Sequence, residues 1–385
     1  MKSGFVSILG RPNAGKSTLV NALTGEKVAI VTSKPQTTRT RIHGIVDVAA
    51  RKGKHPAAQI VFVDTPGVHK PSTLLDKQMM QVVYDALESR DVVMVMIDAS
   101  RRLELPPVSS DEKKVEPSAP LHSGESELDL AANPAEPGTD AATDIPKRNV
   151  RLSKDASEDA FVFELIRKLD CPVFLLINKI DLVPREKLLP LITELSALHP
   201  FKQVLLLSAR KRDGLDLLVE KLVQYLPDGE RYFPKDQFTD QPERFLAAEL
   251  IRERILMETG EEVPYASAVV IEQWEEPPAP SPAKPRKPKP GSDATVKLPL
   301  TRIAAAIYCE REGQKAILIG KGGVKLKAIG SSARHEIEQL LGTRVFLQLH
   351  IIVEENWREK RGFLDTLDWR RQLDDLAKLR KQSNE

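Results

Sequence analysis

The segment that decides the fold reads GRPNAGKS and runs from Gly10 to Ser17. It matches the pattern GxxxxGK[ST], follows an apolar run and leads into a helical pattern, which is the context that a phosphate-binding loop requires. Glycines let backbone N–H groups turn toward phosphate oxygens, and the helix N-terminus favours negative charge. We expect Lys16 to reach the β- and γ-phosphates and Ser17 to ligate Mg²⁺. The alternative is a glycine turn with an incidental lysine.

Apolar runs alternate with helical patterns on the C-terminal side of this loop. The predicted strands are 5–9, 42–48, 60–63, 92–97, 173–177 and 204–207, and the predicted helices are 17–23, 75–87, 158–169, 186–198 and 215–226. Strands that alternate with helices indicate an α/β P-loop domain with a doubly wound, mainly parallel sheet, which we place at 1–227.

Three more motifs follow predicted strands: DTPG at 64–67, NKID at 178–181 and SAR at 208–210. An acid at 64 can hold Mg²⁺, and a glycine N–H at 67 can approach a γ-phosphate. The Asp181 carboxylate can accept two N–H bonds from guanine, a donor pair that adenine lacks. Asn178 can tie its loop to the phosphate loop, the Lys179 stem can pack over the base, and a backbone N–H of 208–210 can reach guanine O6. Each motif alone also fits an ordinary strand-to-helix turn.

Together these motifs resemble the GTPase superfamily, because four loops at the carboxyl edge of one sheet would surround one GTP or GDP. The resemblance implies a switch-loop threonine as a further Mg²⁺ ligand beside Ser17 and Asp64. Thr38 is the first choice for it and Thr37 the alternative. The expected nucleotide-binding residues are Gly10, Asn13, Ala14, Gly15, Lys16, Ser17, Thr18, Asp64, Thr65, Pro66, Gly67, Asn178, Lys179, Asp181, Ser208, Ala209 and Arg210.

Hydrolysis is expected to depend on Lys16, Thr38, Gly67 and Asn13. Many GTPases carry a glutamine directly after DxxG, but Val68 stands there and cannot orient water. In relatives that lack the glutamine, an asparagine at the position of Asn13 is associated with a monovalent cation. The resemblance therefore implies K⁺ beside the phosphates.

A second unit follows a linker at 228–242. The predicted order is helix 245–257, strand 267–274, strand 303–310, helix 314–319, a glycine turn, helix 324–341 and strand 345–353. On the first helix we expect Leu246, Leu250 and Ile251 to face inward and Glu249, Arg252 and Glu253 to face solvent.

The glycine turn, Gly320-Lys321-Gly322-Gly323, matches the GxxG loop of KH domains. Two glycines let an RNA backbone pass close to the protein backbone. With the element order α-β-β-α-GxxG-α-β, this loop predicts a type II KH domain at 243–362. The expected RNA-binding residues are Gly320, Lys321, Gly322, Gly323, Lys325 and Lys327, with bases lying over Ile317, Ile319 and Ile329. At least one of these isoleucines would instead belong to the core.

Two proline-rich stretches interrupt the pattern, at about 103–154 and 275–299, and both are interpreted as disordered or loop insertions. Residues 363–385 form a C-terminal extension. The net charge of +2 makes any nucleic-acid surface local, and the two separated cysteines favour a reducing compartment over a metal site. No apolar run approaches the ~20 residues of a membrane span.

The segments GRPNAGKST, PQTTRTRI, DTPG, NKID, QPERFLAAELIRERI and EREGQKAILIGKGGVKLKAIGSSAR are similar to those of the bacterial GTPase Era family. The resemblance covers about three quarters of the chain. It implies a cytoplasmic, monomeric GTPase that binds 16S rRNA near its 3′ end and assists 30S ribosomal subunit assembly and rRNA maturation. It also implies peripheral contact with the inner face of the membrane.

Three other interpretations stay open at this point. One is a related GTPase with another target, although such proteins need further catalytic or membrane domains. Another is a passive RNA-binding scaffold with a vestigial nucleotide pocket, and the complete motif set argues against it. The third is a nucleotide switch that acts on a protein partner.

Overall fold

The computed structural model describes residues 1–102, 157–260, 262–277 and 299–368 of the 385-residue chain. The expected insertion at 103–154 lies outside the described residues, as do most of the insertion at 275–299 and the extension from 369 onward.

The N-terminal part forms a six-stranded sheet with the order β2-β3-β1-β4-β5-β6. Its strands are β1 Lys2–Leu9, β2 Ile42–Val48, β3 Ala58–Asp64, β4 Val92–Asp98, β5 Val173–Asn178 and β6 Gln203–Leu206. Only β2, at one edge, runs antiparallel to its neighbour. The helices are α1 Lys16–Thr24, α2 Leu74–Glu88, α3 Glu158–Arg167, α4 Leu188–Ser196 and α5 Leu215–Tyr225.

The sheet has a core on each face, which explains why its strands are continuous apolar runs. Every residue of β3, β4 and β5 is buried. Because β1, β3, β4, β5 and β6 are parallel, the loops after them emerge at one edge of the sheet. The predicted motifs therefore meet at that edge.

The C-terminal part is a three-stranded sheet of β7 Ala268–Glu275, β8 Leu300–Cys309 and β9 Arg344–Val353, in that order. β7 and β8 are antiparallel, and β8 and β9 are parallel. Helices α6 Glu243–Glu258, α7 Glu312–Ile319 and α8 Val324–Leu341 pack on it, and the short α9 Arg361–Thr366 follows. This is the predicted type II KH order, with a core of its own.

The predicted solvent face of α6 is wrong. Arg252 is 2% exposed and Glu253 is 1% exposed, and Glu249 is only partly exposed. The helix buries Leu250 and Ile251 in the KH core, while its opposite side packs on the N-terminal part of the chain. Periodicity marks a helix's apolar stripe but does not show that a second surface covers its charged side.

Across the described residues, no helix has both the length and the apolarity that crossing a bilayer would require.

Candidate nucleotide site and RNA loop

The phosphate loop lies between β1 and α1, and glycine makes its path possible. Gly10 and Gly15 have φ values of +154° and +104°, where a side chain would also collide with Met96 O and the Asn178 amide. Lys16 is 6% exposed, and its Nζ donates to Gly10 O at 3.0 Å and Arg11 O at 2.9 Å. Burial lowers the pKa of Lys16 to about 8, against the opposing charges of Asp64 and Glu158. The loop is thus built around a buried lysine that, among the described residues, has no acidic partner in direct contact.

The three predicted metal ligands meet at one point. Ser17 Oγ donates to Asp64 Oδ2 at 2.6 Å, and Thr38 Oγ1 donates to the same oxygen at 3.1 Å. The two hydroxyl oxygens are 2.8 Å apart. Thr37 Oγ1 instead donates to Lys34 O at 2.7 Å, which leaves Thr38 as the switch-loop residue at this cluster.

Asp64 carries the feature that fits a cation. Its Oδ1 is buried and has no hydrogen-bond partner in the described part of the chain. Burial raises the pKa of Asp64 above its ordinary value, although Lys16 and the hydroxyl donors oppose the shift. One carboxylate and two hydroxyls are hard oxygen ligands, which suit Mg²⁺ bound together with phosphate and water.

The predicted base pocket forms where β5 and β6 end. The Asn178 Nδ2 donates to Ala14 O at 2.8 Å, and its Oδ1 accepts from Ala209 N at 3.0 Å, so Asn178 joins three loops. Ser208 Oγ donates to Asp181 Oδ1 at 2.7 Å, and this bond lowers the pKa of Asp181 below its ordinary value. Asp181 is therefore an ionised acceptor at neutral pH.

Two connected cavities lie along this edge of the sheet. One of about 290 Å³ is lined by Lys16, Ser17, Thr38 and Gly67, and one of about 580 Å³ by Asp181 and residues 208–210. They share Gly15, Thr18 and Lys179, which makes them one cleft with a phosphate end and a base end.

Two predicted nucleotide contacts have other partners in this structure. Thr65 Oγ1 donates to Ile8 O at 2.6 Å and holds β3 to β1. Lys179 Nζ donates to Asn13 O at 2.8 Å and to Asp98 Oδ2 at 2.6 Å. Asp98 was missed at the sequence level, although an acid that ends β4 at the carboxyl edge was a usable signal.

Sequence reasoning also missed the contacts between the switch loop, residues 30–40, and the KH part of the chain. Arg252 donates to Thr37 O, and Glu253 Oε1 accepts from Val31 N at 2.9 Å. Arg39 Nη1 donates to Ser267 O at 2.8 Å. The residue directly before Thr38 is therefore held by the KH helix α6, and the burial of Arg252 and Glu253 agrees with this contact.

The KH loop is open in the structure. Gly320, Gly322 and Gly323 all have positive φ values, and a side chain at Gly320 would meet Lys325 at 2.8 Å. Lys321, Gly322 and Lys327 are exposed, whereas Lys325 is partly buried. Beside the loop, Ile317 is 47% exposed, but Ile329 is fully buried in the core. The prediction that bases lie over Ile329 is therefore wrong, because α8 turns this residue toward the sheet.

Comparisons with known proteins agree with both the nucleotide site and the KH fold. Residues 5–120 match the family described as 50S ribosome-binding GTPase, and residues 294–358 match the KH domain family. GTPase Era of Ruminiclostridium cellulolyticum is 34% identical over 96% of this chain and 98% of that protein. GTPase Era of Geotalea uraniireducens is 39% identical over 94% of this chain and 96% of that protein.

Solved structures give the same result. An Aquifex aeolicus Era variant bound to GDP·AlF4⁻ matches with a TM-score of 0.71 and 33% identity, covering 96% of this chain and 99% of that chain. Era in complex with MgGDPNP and nucleotides 1506–1542 of 16S ribosomal RNA matches with a TM-score of 0.72, the same identity and the same coverage. Together with the near full-length identity to the curated relatives, these matches show that the chain belongs to the GTPase Era family and is a GTPase.

Proposed function

We propose that this GTPase is a switch that binds 16S rRNA near its 3′ end and assists small-subunit assembly and rRNA maturation. The observation that carries the proposal is the double attachment of the switch loop. Thr38 bonds to Ser17 and Asp64 at the nucleotide site, while the adjacent Thr37 carbonyl accepts from Arg252 of the KH helix. An Era structure that holds MgGDPNP and a 16S rRNA segment supports this choice of ligands.

The residues at the nucleotide site would have three separate roles. Ser17, Thr38 and Asp64 would hold Mg²⁺, which when bound neutralises charge on the β- and γ-phosphates. Lys16 and the Gly67 N–H would stabilise charge on the γ-phosphate during hydrolysis. Asp181 and a backbone N–H of residues 208–210 would select guanine.

At the RNA, the GxxG loop would clamp the phosphate backbone of a single strand, with Lys321, Lys325 and Lys327 supplying charge. Ile317 and Ile319 would lie beneath the bases. Binding of GTP would favour the RNA-competent arrangement and hydrolysis would release it. Thermodynamic linkage then requires that RNA strengthens GTP binding by the same factor.

The proposal is tested by crosslinking in cells that express the full chain, followed by mapping of the recovered RNA. We expect fragments from the 3′ end of 16S rRNA, and their recovery should fall when Lys321 and Gly322 are both changed to Asp. Recovery of protein partners without rRNA would instead indicate a switch that acts on a protein.

We also propose that Asn13 binds K⁺ beside the phosphates. Asn13 has a positive φ of 63°, and its side-chain N–H donates to the Ser33 carbonyl of the switch loop at 2.7 Å. Asn13 and Ser33 both line the phosphate end of the cleft. Hydrolysis should be faster in K⁺ than in Na⁺ buffer, and equal rates would remove the proposal.

The remaining parts of the proposal are a monomer that works in the cytoplasm with peripheral contact to the inner face of the membrane. Their support is membership of the Era family. Sedimentation of the purified protein and flotation with anionic vesicles test them, and a stable dimer or a lack of vesicle binding would contradict the respective part.

A further inference from the structure

His69, two residues after Gly67, is buried at 8% exposure beside the switch loop. Its Nδ1 lies 2.8 Å from Gly67 O, and its Nε2 lies 3.1 Å from Asp76 Oδ1 in the first turn of α2. A carbonyl oxygen only accepts hydrogen bonds, so Nδ1 must carry a proton.

The second nitrogen faces an ionised carboxylate. The other oxygen of Asp76 accepts from the Ser72 N–H, the Ser72 hydroxyl and the Thr73 N–H, at 2.7 to 3.0 Å. Despite burial, these donors and His69 hold the pKa of Asp76 well below its ordinary value. A lone pair on Nε2 would be repelled there, so the geometry favours a proton on both nitrogens.

Gln36 of the switch loop tests this assignment. Its Nε2 donates to Asp76 Oδ1 at 3.1 Å and lies 3.4 Å from His69 Nε2. Two N–H groups that converge on one carboxylate oxygen account for both distances. In the alternative, neutral tautomer, His69 would accept from Gln36 and leave its lone pair against Asp76.

The surrounding charges favour the cation. Burial lowers the pKa of His69, but its bonds to Asp76 and Gly67 O and the charges of Asp76 and Glu158 raise it overall. Arg11 pairs with Glu158, and the charges of Arg39 and Arg358 interact with that of Asp76. Lys70, which follows His69 in the chain, is exposed.

We propose that His69, as an imidazolium, is a positioning residue that clamps Gly67 and the switch loop to α2 and makes GTP hydrolysis pH-dependent. The Gly67–Val68 peptide is then held on both sides, because Val68 N donates to Gly10 O at 3.1 Å. Gly67 also contacts Pro12 so closely that a Cβ would lie 2.7 Å away. By fixing the Gly67 carbonyl, the clamp would position the neighbouring Gly67 N–H for the γ-phosphate. His69 is protonated below its pKa, where the clamp is intact, and the clamp is lost as pH rises through that pKa.

The first test is a pH titration of the full chain labelled with ¹⁵N-histidine, with the His69 signals assigned from a His69→Gln sample. We expect both ring nitrogens to be protonated at pH 7, with a midpoint above the ordinary 6.5. A neutral His69 at pH 7 would overturn the proposal. The titration itself is made on the natural chain, and the His69→Gln sample serves only to assign the signals.

The second test is the pH profile of the hydrolysis rate. In the natural chain kcat should fall as pH rises through the measured midpoint. His69→Gln should lower kcat by roughly 10- to 100-fold at pH 6.5 through misplacement of Gly67, and should remove the pH step. GDP affinity should stay unchanged, because Gly67 serves only the γ-phosphate.

His43→Gln is the matched control. His43 is also buried, and its Nδ1 lies 2.8 Å from Asp240 Oδ2, but it lines neither cavity of the cleft. This variant should keep the rate and the pH step. A step that persists at the His69 midpoint in His69→Gln, or one that disappears at that midpoint in His43→Gln, would contradict the clamp. Neither test involves RNA, so its outcome is independent of the proposed rRNA function.

Discussion

Two glycine loops lie at the N-termini of helices in this molecule, the loop at 10–17 before α1 and the loop at 320–323 before α8. They differ in their surroundings. Around the first, Lys16 is 6% exposed and bonds to loop carbonyls, and the Asn178 amide donates to Ala14 O. Around the second, Lys321 and Gly322 are exposed.

The difference follows from the shape of what each loop would hold. A triphosphate is compact, so the protein can surround it and use fixed, buried donors. An RNA strand enters and leaves on both sides, so its loop must stay open, and its lysines act through charge in solvent. Residues at the first loop are therefore expected to contribute more per side chain.

The largest effect is expected for Lys16→Ala. It removes the buried cation at the phosphates and should lower GTP turnover by about 10²- to 10³-fold, as loss of a fixed charge donor does elsewhere. Phosphate release measures it, and exposed Lys77 changed to Ala is the control. Turnover that survives would mean that the loop is an incidental turn.

Asp181→Asn should come next. It replaces an ionised acceptor by a donor and should weaken GTP binding by roughly 10- to 100-fold, since a hydrogen bond to a charged group contributes ~1.5–3 kcal/mol. Xanthosine triphosphate should gain affinity in the same titration. If GTP affinity stays the same, the base pocket is assigned to the wrong place.

Substitutions in the exposed RNA loop should change binding less per residue than those at the nucleotide site. With Lys321 and Gly322 both changed to Asp, RNA binding should fall by about 10-fold or more and lose salt dependence, because a phosphate contact becomes a repulsion. Apart from Gly322 and its two chain neighbours, no described residue has an atom within 4 Å of a Cβ placed at Gly322, and Asp tolerates positive φ better than most residues.

Lys202→Asp, an exposed change remote from the loop in sequence, controls for the charge reversal at Lys321. GTP affinity should be intact in both variants. Loss of nucleotide and RNA binding together would mean that the protein had unfolded.

The smallest effect is expected where the two regions join. Glu253→Gln should weaken the contact with Val31 N and change the GTP–RNA coupling by a few-fold, within the ~0.5–2 kcal/mol typical of such sites. Glu258→Gln, an exposed change on the same helix, is the matched control. Equal coupling in Glu253→Gln and the natural chain would exclude this contact as a route.

Sequence alone predicted the parts of this molecule in which local pattern and function coincide. The strands and helices were predicted to within a few residues, because buried parallel strands read as apolar runs and each motif follows a strand end.

Contacts between distant segments could not be predicted. Arg252 and Glu253 were expected in solvent, since nothing in the helical pattern of α6 shows that a second surface covers them. Ile329 was expected under RNA bases but is core. The His69 pair with Asp76 depends on how the loop after β3 folds back, which spacing alone does not determine.

The central claim is that one switch loop links the guanine nucleotide to the RNA loop. The most direct measurement is the affinity of the full chain for a 3′-terminal 16S RNA oligonucleotide with a non-hydrolysable GTP analogue and with GDP, repeated in reverse for nucleotide affinity with and without RNA. Our account predicts tighter RNA binding with the GTP analogue, and an identical factor in the reverse experiment. Equal RNA affinity in the two nucleotide states would contradict it.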